Sequence, residues 1–129
     1  MPLRRVVVLD ADSTRAEFQE SGKALRSTLA GQGIGIVAEG GDGIVAAPGA
    51  VQDIDQLFQQ YLTGNDVPCG LLNTANYYTD LLRTSADNVV DRFVRESQRG
   101  RLIVQRDPHV LVQAMVDYLP PETRRQAVE

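Results

Sequence analysis

The chain has 129 residues, the length of one ordinary domain, with 43% apolar and 23% charged residues, a balance typical of globular proteins. Thirteen basic and 17 acidic residues give a net charge of −4, which argues against broad electrostatic attachment to nucleic acid or to an anionic membrane. Cys69 is the one cysteine and His109 the one histidine, which excludes a disulfide scaffold, a cysteine-based zinc site and a histidine-rich metal cluster. No apolar run approaches the roughly 18 residues of a membrane span. The opening Met1-Pro-Leu-Arg-Arg5 runs too quickly into an apolar segment to read as a signal peptide, so the expected compartment is the cytoplasm.

Taken in chain order, short β-branched runs alternate with helical periods, the signature of an α/β domain. Val6-Val7-Val8-Leu9 has the continuous apolar character of a strand buried on both faces. A helix is expected over residues 14–30, opened by a Thr14/Glu17 capping box and carrying Phe18, Gly22, Leu25 and Leu29 on one face. Ile34 to Ala38 and Gly43 to Ala47 read as the second and third strands. Asp53, with Gln56 three positions on, caps a helix over 53–63, in which Ile54, Leu57, Phe58, Tyr61 and Leu62 form a core-facing stripe.

Pro68 to Leu72 is a fourth strand. Residues 76–97 are expected to be helical, broken near Ser85, and Leu102 to Gln105 forms the last strand. Asp107-Pro108 then supplies a cap and a first-turn proline for a helix over 108–119. One domain over residues 1–121 and a polar tail over 122–129 follow from this layout.

Several segments are similar to a known family. Val67-Pro-Cys-Gly-Leu-Leu-Asn73 followed by Tyr77-Tyr78-Thr-Asp-Leu-Leu82 resembles the "kPvgLlN…yYd.Ll" stretch of the Lonely Guy-type proteins, once catalogued as lysine decarboxylases. Phe93, the Leu102–Gln105 run, Asp107-Pro108 and Tyr118-Leu-Pro-Pro121 continue the likeness, and Gly33 to Gly41 resembles the family's "giglVyGGG" loop. The resemblance implies a Rossmann-like three-layer sandwich of about five strands, a homodimer, no cofactor, and hydrolysis of the N-glycosidic bond of a cytokinin-type nucleoside 5′-monophosphate. It also implies a nucleotide site at Ser13, Gly40, Gly41, Pro48, Gly49, Ala50 and Asp53, with Asp55 and Gln56 at the catalytic position.

The family's PGGxGTxxE motif is degraded here to Pro48-Gly-Ala-Val-Gln-Asp-Ile-Asp-Gln56. Ala50 and Gln52 stand for two glycines and Asp53 for the threonine, while Gln56 stands for the glutamate and cannot accept a proton as a carboxylate does. Asp55 lies one residue earlier, about 100° around a helix, and Asp53 would repel a phosphate. Only Ser13 remains of the family's Gly-Ser-Ser turn, flanked by Asp10 and Asp12. The block that follows the Gly-Gly loop in the family, with its arginine, is missing. The expectation is therefore a degenerate member that binds a nucleoside monophosphate at most, or a non-catalytic dimeric interaction protein.

The deletion has a topological consequence. Parallel strands need a crossover of a dozen or more residues, and only a short Gly-rich link joins the second strand to the third. In a mainly parallel sheet an antiparallel hairpin over residues 34–47 is therefore expected, unless the segment exchanges between protomers or Ile34 to Val45 forms less strand. A reversed third strand would make Pro48-Gly49 leave the sheet at the opposite end from Ser13. A weaker likeness is the hhhhDxDxT form of Val6 to Thr14, found in haloacid dehalogenase-type phosphatases, with Gly41-Asp42-Gly43 as their acidic loop; Ala46 occupies the place of that loop's second acid. Arg92, Arg95, Arg99 and Arg101 read as a solvated helix face, Tyr77 and Tyr78 as helix-to-sheet packing, and His109 as exposed.

Overall fold

The apolar runs assemble into one five-stranded sheet in the computed structural model, which describes residues 3–9, 15–38, 40–62 and 67–118. The strands are β1 (Arg5–Leu9), β2 (Gly35–Val37), β3 (Gly43–Ala46), β4 (Cys69–Leu72) and β5 (Leu102–Gln105), in the spatial order β2-β1-β3-β4-β5. Every pairing is parallel. The helices are α1 (Ala16–Gly31), α2 (Ile54–Leu57, continuing as a π-helical turn over Phe58–Leu62), α3 (Tyr77–Arg83), α4 (Asp87–Gln98) and α5 (Pro108–Val116).

Alternation along the strands feeds two cores, because successive side chains point to opposite faces of a sheet. Val6, Val45 and Leu72 pack with Leu25 and Leu29 of α1 and with Leu111, Val112 and Met115 of α5. On the other face, Ile44, Ala46, Cys69 and Leu71 pack with Ile54, Leu57, Phe58, Tyr78 and Val89. The result is a Rossmann-like three-layer sandwich, as expected.

Capping follows the sequence at two of three helices. Asp53 Oδ1 accepts the Asp55 amide at 3.0 Å, and Asp107 Oδ1 accepts those of His109 and Val110 at 2.8 and 3.3 Å. Thr14 lies outside the described residues; α1 begins after Arg15, which pairs with Glu17. The break between α3 and α4 falls at residues 84–86, around Ser85. Residues 122–129 lie outside the described part.

The expected antiparallel hairpin over residues 34–47 does not form. β2 and β3 both run parallel to β1 and flank it, so they are not neighbours at all. The short link folds back across the start of β1. The Asp42 amide donates to Arg5 O at 2.6 Å, and its carboxylate accepts the amides of Arg4 and Arg5 at 3.1 and 3.2 Å. A Cβ on Gly41 would sit 2.9 Å from Arg5 O and 3.1 Å from Val6 Cα, so only glycine lets bare backbone lie on the strand. A long crossover is needed to pack a helix on the sheet; a link that presses directly on β1 dispenses with it.

The arginines also divide. Arg95 and Arg99 are exposed, whereas the Arg101 side chain is 12% exposed and lies 3.5 Å from the buried Glu96 carboxylate. The Arg92 guanidinium stacks on the Phe58 ring at 4.7 Å. Among the described residues no helix is long and apolar enough to cross a membrane.

Candidate functional site

In an open parallel sheet, ligands bind outside the carboxyl ends of the strands where the strand order reverses. Here that point lies between β1 and β3. Leu9 and Ala46 are in register at the two strand ends, and the Ala47 amide donates to Leu9 O at 2.8 Å. Because β3 is parallel to β1, Pro48-Gly49 leaves the sheet at the same end as the loop after Leu9. This corrects the expected reversal of the third strand, whose premise was the hairpin. Ser13, Asp10 and Asp12 lie outside the described residues.

The 47–53 loop is folded on itself. The Ala50 amide donates to Ala47 O at 3.3 Å, and Gly49 takes φ +89°, a conformation that favours glycine. Two tyrosines hold the loop from the side. Tyr78, 1% exposed, donates its hydroxyl to Ala47 O at 2.6 Å, and the Tyr77 hydroxyl donates to Val51 O at 2.9 Å. Burial pushes both phenols above their ordinary range, Tyr78 the further, so both stay protonated donors at neutral pH. The Tyr77 ring packs edge-on against Phe18 of α1 and against Tyr78, with centroids 5.5 and 4.9 Å apart.

Asn73 sets the tyrosines in place. Its carbonyl accepts the Tyr78 amide at 2.8 Å and its amide donates to Thr79 Oγ1 at 2.9 Å. Ala75 and Asn76 follow in the left-handed region, at φ 54° and 61°, in the turn from β4 into α3.

Between the carboxyl end of β1 and the 50–60 segment lies a cleft of about 330 Å³. Val8, Leu9 and Leu57 give it apolar walls, and Gln52, Asp53, Gln56 and Gln60 give it polar ones. Gln56, Asp53 and Ala50 thus meet in one place. Asp55 does not line the cleft; its carboxylate accepts from Gln59 Nε2 at 3.1 Å. Pro48 is buried and is not among the residues that line the cleft. Gly41, and Gly40 before it in the link, belong to the amino end of β1, where the Gly41 backbone abuts Arg5 and Val6. Gln60 is new to the site; its signal was the spacing of four residues from Gln56 within the expected helix over 53–63.

The remaining candidates lie elsewhere. His109 is exposed at the start of α5. Cys69 is fully buried in β4, and burial pushes its thiol up to about 12, where it packs and does not react. Asp42, the acid that suggested a phosphatase loop, is engaged with the amides of Arg4 and Arg5, at the end of β1 opposite Leu9. Among the described residues no group of three or more histidine, cysteine or acidic side chains is placed to hold a metal ion. A second cavity of about 410 Å³, between α3, α4 and β5, is walled mainly by apolar side chains such as Leu82, Phe93 and Val104.

Two curated proteins are similar to this chain. One, from Rhodococcoides fascians, is a cytokinin riboside 5′-monophosphate phosphoribohydrolase, 34% identical over 76 residues that cover 56% of this chain and 38% of the relative. The other, from rice (Oryza sativa subsp. japonica), is described as a probable cytokinin riboside 5′-monophosphate phosphoribohydrolase, 30% identical over 88 residues that cover 65% of this chain and 36% of the relative. The chain therefore spans well under half the length of these relatives. No family model matches it.

Proposed function

We propose, taking as premise that this chain is a member of the Lonely Guy-type phosphoribohydrolase family, that it is a degenerate one, binding a nucleoside 5′-monophosphate at most and hydrolysing its N-glycosidic bond little or not at all. The observation that carries the proposal is the make-up of the switch-point cleft: Gln56 lines it where the family motif has a glutamate, and the nearest carboxylate in sequence, Asp55, is turned toward Gln59. Loss of a general acid or base costs about 10²–10⁴-fold in rate. The missing arginine-bearing block and the altered loop remove positioning as well, and such losses within one site do not multiply. The test is release of free base from AMP and N6-isopentenyl-AMP, repeated with Asp53→Asn and Asp55→Asn. Turnover near background supports the proposal. Robust turnover abolished by either substitution would mean a rebuilt, working active site.

A second reading, a non-catalytic homodimer, is favoured by a different observation. Ile36 on the edge strand β2 is 41% exposed, and Val7 and Val37 are only half-buried. Apolar surface of this kind at a sheet edge is commonly covered by a partner. Sedimentation velocity at micromolar concentration is expected to give a dimer; a monomer would count against this second reading.

A further inference from the structure

We infer that the cleft lined by Gln52, Asp53, Gln56 and Gln60 takes an uncharged nucleoside-type ligand in preference to the same ligand bearing a phosphate. The inference rests on the reading that this cleft descends from a nucleotide site, and adds the charge state it selects. A phosphate cradle works by presenting unpaired backbone N–H groups to the anion. Here the Ala50 amide is satisfied by Ala47 O at 3.3 Å and the Asp55 amide by Asp53 Oδ1 at 3.0 Å. Two amides of the segment are thus already engaged within it.

The charge of the lining points the same way. No described residue lining the cleft is a lysine, arginine or histidine, and Asp53 contributes a carboxylate. A phosphate entering here would meet like charge, with no cation among the described lining residues to offset it. What the wall does offer is primary amides. Gln52, Gln56 and Gln60 each carry two N–H donors beside a carbonyl acceptor, suited to the donor–acceptor edge of a base or to ribose hydroxyls. A carboxylate such as that of Asp53 is a good acceptor for sugar hydroxyls, and Val8, Leu9 and Leu57 supply apolar flanks for a ring. A volume of about 330 Å³ lies at the small end of the range for ligand pockets, fitting one nucleoside and little more.

Isothermal titration of the full chain with adenosine, adenine, AMP and ribose 5-phosphate, at low and high ionic strength, tests this. The expected result is adenosine binding at least about tenfold more tightly than AMP, with AMP gaining affinity as salt screens the repulsion. Asp53→Asn, which keeps a good helix cap, is expected to narrow that gap. Gln56→Ala is expected to weaken adenosine by about three- to tenfold, the worth of one hydrogen bond. AMP binding as tightly as adenosine, or more tightly, overturns the inference while leaving the nucleotide-site reading intact. Failure of every probe to bind at millimolar concentration overturns that reading and the inference with it.

Discussion

Tyr78 is the residue on which the 47–51 loop depends. Its hydroxyl and the Ala47 carbonyl are both buried, so removing the donor leaves that carbonyl only the longer bond of 3.3 Å from the Ala50 amide. Tyr78→Phe is expected to cost about 0.5–1.5 kcal/mol in urea denaturation, the worth of one hydrogen bond. A change within a few tenths would show that the bond contributes little. Burial also makes a prediction for alkaline pH. The Cys69 thiol titrates near 12 in the folded chain against about 9 when exposed, so its contribution is whole below pH 9 and is lost as pH rises toward 12. Tyr78, likewise pushed upward, adds a loss of the same sign above its own ordinary range near 10. Stability should therefore be flat up to pH 9 and then fall, by up to about 1.4 kcal/mol per pH unit for each group. Cys69→Ala is expected to lower the plateau by creating a cavity and to make the fall shallower. An unchanged slope would contradict the assignment. At this scale the caps at Asp53 and Asp107 were legible in the sequence, because a cap is a local spacing. The tyrosine hydroxyl bonds were not, because their acceptors are 26 and 31 residues away.

Each strand and helix could be read from its own period, yet the neighbours of a strand could not. The Gly-rich link after β2 carries good hairpin chemistry, and nothing local says that β1 is threaded between the strands it joins. What decides the order is burial. β1 supplies Val6 to one core and carries Val7 and Leu9 against the other, which requires a strand on either side and a layer on each face. Gly41 marks the compromise and can be tested. Gly41→Ala would place a Cβ within 2.9 Å of strand backbone that cannot move aside, and is expected to cost about 2–3 kcal/mol. Gly40 has open space around it and a φ of 72°, so Gly40→Ala should cost only the left-handed penalty of about 1–2 kcal/mol. If both substitutions cost the same, the link does not press on β1 as described. The same logic explains why the order of the site residues was misjudged: a reversed β3 would separate the 48–53 loop from β1, and a parallel one brings them together.

For the whole molecule, the fold and the cleft point in different directions. Strand order, layers and the tyrosine-braced loop leave a cleft where such sheets place their ligand sites, and the two similar proteins are named as a cytokinin riboside 5′-monophosphate phosphoribohydrolase and a probable one. Among the described residues the polar side chains lining that cleft are three amides and one carboxylate, with Gln56 at the position where the resemblance calls for a base. That a glutamine stands where the motif has glutamate was legible from the motif alone, since such a substitution needs no coordinates. The geometry of the site was not, because it depends on where β3 lies. The most direct measurement is single-turnover base release, with the chain in large excess over N6-isopentenyl-AMP so that slow product release cannot mask chemistry. Free base is expected to appear no faster than with heat-denatured protein. Release that saturates with protein concentration and disappears in Asp53→Asn would contradict it and identify a working hydrolase.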